Sequence, residues 1–445
     1  MGLSNALVDR SAFERGRVPI ELSGWLPAVA LPTYAALNGD IETDIVVIGA
    51  GLAGGATFLH MVEAGARAVL LEARQPANGA SGRNAGHYLP YLDDLETFKK
   101  WGGGKGERLF DFAVANRNIA YAISAKYELD ADCRQLGMIN AAQRPIASLA
   151  KKARFWRQHG YSVDEVGGKE LAALVGTDHY DYGLVWREGG RLNPYLFTNG
   201  MVSAAQALGG SVYGDSPAVS CSREGSHWRI RTPTGSVMAR KVVVCTAGYE
   251  NTPFLPELDR GSYPLVATAL ATKPLPSELV KQLMPSGAVI EQHPGLYHML
   301  VDGRDRLISS TIPAVGKAHD AALYFSAFRA WLNKIFPVSR DFKIELDAYW
   351  SGIMYNSSAV YHQDYPSVHH LGDGLYAFLN LGSWGNFMGP LLGKSLGESL
   401  AADRPDDFVM PFVAPKRKMW PGQFAFAVRR VGVPALRLAD RLNLS

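Results

Sequence analysis

The residues best spaced for chemistry come early in the chain. "GAGLAGG" sets glycines at positions 49, 51 and 54, with Ala50, Leu52 and Ala53 between them. Gly49 permits a tight turn, Gly51 lets main chain approach a pyrophosphate, and Gly54 lets a helix lie close against a strand. Glu72, followed by Ala73 and Arg74, lies eighteen residues past Gly54. There it can accept both hydroxyl hydrogens of an adenosine ribose and repel a 2′-phosphate, which argues against NADP. A second small-residue run follows, with Ala80, Ser81, Gly82, Arg83, Asn84, Ala85, Gly86 and His87 inside "NGASGRNAGH". It suggests more backbone wrapped around a long ligand. No Ser/His/Asp arrangement, CxxC pair or zinc-like His/Cys spacing accompanies these residues.

The flanking segments supply the elements that must hold them. "DIVVI" (44–48) is a β-branched run of the kind that forms buried parallel strands. "TFLHMVEAG" (57–65) has helical apolar spacing and stops at a glycine, and "AVLLE" (68–72) reads as a second buried strand. Strand, glycine turn, helix, strand and acid together form a dinucleotide fingerprint, with the helix N-terminus offering N–H groups and positive charge to the phosphates. Phe58 falls where such helices carry a small residue, and Gly55 and Ala56 are expected to compensate.

The chain resembles the FAD-dependent, D-amino-acid-oxidase-like (glycine/sarcosine-oxidase-like) amine oxidoreductases, with the γ-glutamylputrescine oxidase branch nearest. The resemblance rests on "GASGRNAGH" after "LEA", the tryptophan-bearing lead "GWLPAVALPTYAALNGD", "CRQLGMINAA", "GLVWREGGRLNPYLFTNGM" and "VVVCTAGYE". It continues in "VATALATKPLP", "YWSG" and "GLYAFLNLGSWGNFMGPLLGKSLGESL". Only about the first and last 40 residues are weakly covered.

That resemblance implies a discontinuous Rossmann-like FAD-binding domain in an α/β, two-domain chain. Residues 41–90, 190–255 and 345–402 would form it, after a lead of 1–40. A substrate domain of antiparallel sheet and helices would take 91–189 and 256–344, with a tail of 403–445. FAD would be held non-covalently, Ala247 and Gly248 would approach it, and the Val219 backbone would meet adenine. The loop Ser383-Trp384-Gly385, then Asn386, Phe387 and Met388 at a helix start, would aim N–H groups at the flavin C2 carbonyl. Relatives often carry "GHG" at this loop. His87, Tyr297, His298 and Trp384 are the pocket candidates, and no catalytic side chain is assigned, since the cofactor carries the redox chemistry.

The implied reaction is oxidation of an amine or amino-acid C–N bond to an imine, with dioxygen or another acceptor reoxidising the flavin. A flavin monooxygenase is disfavoured because no second GxGxxG for NADPH is visible. A non-enzymatic flavoprotein subunit is the alternative from another class. A net charge of +3 gives no case for nucleic acid, and three scattered cysteines fit a reducing compartment. The N-terminus lacks a signal-peptide apolar run, so a soluble cytoplasmic protein without metal is expected. The segment from Lys416 carries seven basic residues, including Arg417, Lys418, Arg429, Arg430, Arg437 and Arg441, against Asp440. It reads either as a helix docked on its own fold or as peripheral contact with an anionic membrane or acidic partner. Pro421 and Pro434 favour docking.

Overall fold

The strand Gly39–Ile48 lies between two parallel partners, Gly235–Val244 on one side and Ala68–Leu71 on the other. Its β-branched end is buried throughout, with Val46 and Val47 wholly inaccessible. In the computed structural model, residues 23–28, 30–92, 104–247, 255–258, 261–292, 298–356, 366–382, 385–435 and 438 are described. Eight strands make the first sheet. Beyond the central three, Ser211–Tyr213 extends one edge, and His227–Arg231 and Ser220–Glu224 form an antiparallel ribbon at the other. Leu375–Asn380 adds in parallel to the end of Gly235–Val244 and carries Ser367–His370 beside it.

Three helices cover one face of this sheet: Leu52–Glu63, Pro194–Ala207 and Gly385–Ala401. The first and third cross closely because Gly389, Gly393 and Gly397 face Leu52, Ala56 and Thr57. A Cβ on Gly393 would stand 2.6 Å from that of Ala56. The same helix buries Leu391, Leu392, Leu396 and Leu400 completely, each worth roughly 1.5–3 kcal/mol before the entropy of ordering. Phe58 is also wholly buried, but neither Gly55 nor Ala56 makes its room. Gly210 does: a Cβ there would lie 2.5 Å from the Phe58 ring, whereas Gly55 faces Val202.

The second eight-stranded sheet runs Leu346–Asn356, Tyr263–Thr272, Leu307–Thr311, His298–Val301, Val289–Gln292, Met138–Ala142, Tyr182–Trp186, Val163–Gly167. It is antiparallel except where Val289–Gln292 meets Met138–Ala142. The helices Ala321–Ile335, Ser277–Gln282 and Gly168–Val175 pack on one face through Phe328, Leu332, Leu279 and Leu171. Met138, Leu184, Ala269, Leu300 and Trp350 point the other way, into the hydrophobic cluster under the first sheet's helices.

One expectation is corrected here. The "YWSG" strand, expected among the flavin strands, is Leu346–Asn356 and pairs along its length with Tyr263–Thr272 in the second sheet. Its burial alternates along much of the strand, as an antiparallel strand with two different faces requires, while Leu375–Asn380 is buried at every position.

Candidate cofactor site and pocket

The glycine turn has the geometry its spacing foretold. Gly49 adopts φ +103, donates its N–H to Leu71 O at 2.7 Å, and leaves no room for a Cβ beside the Cys245 carbonyl, 2.8 Å away. A Cβ on Gly54 would stand 1.9 Å from the Gly49 oxygen, so only glycine lets the helix start against the strand end. Gly51 is the N-cap of Leu52–Glu63 and has no side chain to fold over the first-turn amides. The first turn holds no acid. The Leu52 N–H donates to Ser81 Oγ at 2.8 Å, which closes the second small-residue run onto the turn. Glu72 accepts from the Ala50 N–H at 2.6 Å and the Arg74 N–H at 3.1 Å. These features fit a dinucleotide: an anion cradle at a helix start, and an acid fixed beside it at a strand tip.

The run 80–87 is a framework. Arg83 is buried, its guanidinium donating to Asn78 O at 3.0 Å and Ser351 O at 3.2 Å, while Trp350 Nε1 donates to the Arg83 carbonyl at 2.8 Å. Asn84 and Asn386 exchange amide hydrogen bonds at 2.9 and 3.1 Å, and Asn386 also donates to His87 O at 2.8 Å. That pair ties the run to the N-terminus of Gly385–Ala401. Sequence reasoning missed a third support. Trp25, almost wholly buried, donates to Asn84 O at 2.7 Å and packs edge-on against Trp350, and Ser23 Oγ donates to Gly82 O at 2.6 Å. A tryptophan in an otherwise extended, proline-punctuated lead was the only available signal.

His87 closes the run with its ring edge-on to His298, the centroids 5.4 Å apart. Alternation puts His298 on the face of Leu300, toward the first sheet's helices, and sends Met299 into the opposite core. His87 Nδ1 lies 3.2 Å from the Ala85 carbonyl. Nε2 is buried, and the Ala85, Ile290 and Met299 backbone groups surround the ring. Burial first, and the neighbouring His298 second, push the His87 pKa down to about 3. A histidine in the unfolded chain titrates near about 6.5. Between those values the unfolded chain binds a proton that the folded chain refuses, so stability falls as pH drops from about 6.5 toward about 3. In His87→Asn, thermal melts between about pH 7 and pH 5 should lose part of their pH slope. An unchanged slope would mean that His87 titrates normally.

The remaining expectations divide. The Ala53 and Met388 side chains are buried, Phe387 packs edge-on to Tyr88, and any contact of these residues with a ligand would be through backbone. Cys245 N donates to Ile48 O and brings Cys245 and Thr246 beside the glycine turn, while Ala247 packs against the cluster of Val266, Ala318, Ile353 and Tyr355. Val219 precedes the edge ribbon of the first sheet. Its side chain is half exposed and its N–H donates to Arg231 O at 2.8 Å, while Ala218 packs toward the core. Gly248, Tyr297, Ser383 and Trp384 lie outside the described residues. No group of three potential metal ligands occurs among the described residues. A cavity of about 140 Å³, lined by Thr268, Ser309, Thr311, Tyr324 and Tyr349, opens under the helix Ala321–Ile335, on the face away from His298.

Comparison with known proteins gives this geometry a context. The family profile described as FAD dependent oxidoreductase, DAO, matches residues 44–399. Gamma-glutamylputrescine oxidoreductase of Escherichia coli is 28% identical over 262 residues, covering 58% of this chain and 61% of the relative, less than two thirds of its length. Among solved structures, glycine oxidase from Bacillus cereus aligns with a TM-score of 0.65 at 16% identity, over 83% of this chain and 99% of the other. An L-amino acid deaminase from Proteus vulgaris aligns with a TM-score of 0.68 at 19% identity, over 86% of this chain and 98% of the other. At such identities these two show the fold alone.

Proposed function

Because the chain belongs to the FAD dependent oxidoreductase (DAO) family, we propose that it oxidises the C–N bond of a small amine or amino acid to an imine. When bound, FAD supplies the hydride acceptor, and dioxygen or another acceptor restores it. The Gly49–Gly54 turn, Ser81 and Glu72 would hold the cofactor without a covalent bond. The first sheet with its helices would be the cofactor unit, and the second sheet would wall the substrate pocket.

The observation that carries the reading is the buried His87 imidazole, held neutral by its burial and by His298 against its ring edge. An imidazole that stays neutral at physiological pH can accept an N–H of a neutral amine without repelling it. Only a neutral amine has a nitrogen lone pair able to support loss of hydride from the adjacent carbon. Shielding by Trp25 and Trp350 keeps the backing of this loop dry, which strengthens each polar contact. Water would then hydrolyse the released imine. Three free cysteines support a cytoplasmic setting, and no helix among the described residues is long and apolar enough to cross a membrane.

The test is an anaerobic panel of primary and secondary amines and amino acids, watched at the flavin band. One or more should bleach it, and admitted dioxygen or an artificial acceptor should restore the colour. Bleaching by NADPH, with every amine inert, would replace this reading with a monooxygenase. An inert flavin throughout would favour a structural cofactor.

A further inference from the structure

Beyond residue 402 the chain folds back over its own surface. The Val413 N–H donates to Val368 O at 2.9 Å, the Lys418 ammonium sits 5.7 Å over the Tyr263 ring, and Phe424 packs on Tyr263 at 4.8 Å. Arg429 is 3% exposed, and its guanidinium donates to the Pro313 and Ala314 carbonyls, both at 2.7 Å. The segment from Lys416 is therefore docked on its own fold as far as residue 435, and Pro434 explains a local irregularity. It has no N–H for the Arg430 carbonyl, and the helix begun at Pro421–Ala427 widens to π geometry over Val428–Gly432 just before it.

The other side of the segment is the anomaly. A docked helix normally turns polar residues outward. Here the inward side carries the buried arginine, and the outward residues include Ala427, Val431, Ala435 and Leu438. Val431 is 65% exposed and Leu438 55%, and Met419 and Trp420, at the helix start, are 75% and 71% exposed. Trp420 also takes φ +49, a conformation that bulky residues rarely adopt. Charge runs one way: from Phe408 to Ala439 there is no acid, while Lys416, Arg417, Lys418, Arg429, Arg430 and Arg437 are basic. Lys416, Arg417 and Arg430 are exposed alongside the apolar residues.

We infer that this face docks the protein on an anionic lipid bilayer. Tryptophan, methionine and aliphatic side chains enter the headgroup boundary while the neighbouring cations meet acidic headgroups. Charge complementarity selects lipid over a second copy of the chain, which would bring this same basic face against itself. The Arg429 clamp and the Tyr263 contacts transmit the attachment to the second sheet, so the whole molecule is held at one edge. This surface is independent of the reaction proposed above.

The experiment is sedimentation of the full-length flavoprotein with vesicles of phosphatidylcholine alone, or of equal parts phosphatidylcholine and phosphatidylserine. Partition should be at least tenfold greater on the anionic vesicles and should fall as salt rises. Lys416→Glu with Arg417→Glu should weaken it on the order of a hundredfold, and Trp420→Ser with Val431→Ser about tenfold, with flavin content unchanged. Equal partition on both vesicles, or none, would overturn the inference whatever the variants do. A concentration-dependent dimer abolished by Val431→Glu would also overturn it, assigning the face to self-association.

Discussion

Gly54→Ala should yield protein that is poorly soluble and carries almost no flavin. The added methyl carbon would stand 1.9 Å from the Gly49 carbonyl oxygen, 3.0 Å from the Gly49 carbonyl carbon and 3.1 Å from Cys245 Cβ. Two of those three neighbours are main chain and cannot rotate away. Relief requires the start of the helix Leu52–Glu63 to lift from the strand end, which opens the anion cradle. Overpacking against movable side chains costs about 1–3 kcal/mol, and this contact should exceed that range. Gly65→Ala is the control. Its φ of +81 makes alanine strained, but nothing lies within 4 Å of the new atom, so a loss of about 1 kcal/mol is expected. The measurements are flavin-to-protein ratio and melting temperature. A Gly54→Ala protein with full flavin and a melting point within about 2 °C of wild type would refute the argument.

Glu72→Ala should weaken FAD by thirtyfold to a hundredfold. The carboxylate sits at the end of Ala68–Leu71, held by the Ala50 and Arg74 amides, and from there it would accept ribose hydroxyls. Losing charge-assisted hydrogen bonds of this kind costs roughly 2–3 kcal/mol. FMN, which has no adenosine ribose, should suffer less. The structure adds a complication, because Glu72 also braces the turn through Ala50. Glu72→Gln keeps one acceptor oxygen and should recover part of the loss. Titration of apoprotein with each flavin decides the matter: equal weakening of FAD and FMN would reduce Glu72 to a support of the turn.

Local patterns made the cofactor end of the molecule legible. β-branched runs, glycine spacing and a strand-end acid each have a local physical cause, so the strand end 44–48, the helix body from Thr57 and the strand from Ala68 could be read directly, whereas the strand start at Gly39 and the helix start at Leu52 were not. Partners distant in sequence could not. Nothing in "YWSG" says which sheet its strand joins, because hydrogen-bond register with Tyr263–Thr272 depends on how the intervening chain folds. The Asn84–Asn386 pair spans 302 residues and leaves no periodic trace. Nor does the space that Gly210 makes for Phe58, since a glycine just past a helix end reads first as a cap. The tail showed its basic bias in sequence, but which of its residues face outward depended on where Arg429 anchors it.

The order in which the strands join the two sheets also bears on how the protein is made. The chain leaves the first sheet after Ala68–Leu71, returns at Ser211–Tyr213, leaves again after Gly235–Val244 and returns at Ser367–His370. Val242–Val244 must wait for Leu375–Ala377, 131 residues later (375 − 244), before that edge is paired. At about 5–20 residues per second, a ribosome leaves this β-branched edge open for roughly 7–26 s. Neither sheet can be completed as an N-terminal fragment, so vectorial synthesis offers no early folded unit, and the high contact order slows closure further. The nascent chain is thus most prone to aggregation in that interval. Slower synthesis downstream of residue 244, or loss of holdase chaperones, should lower soluble yield more than any surface substitution does.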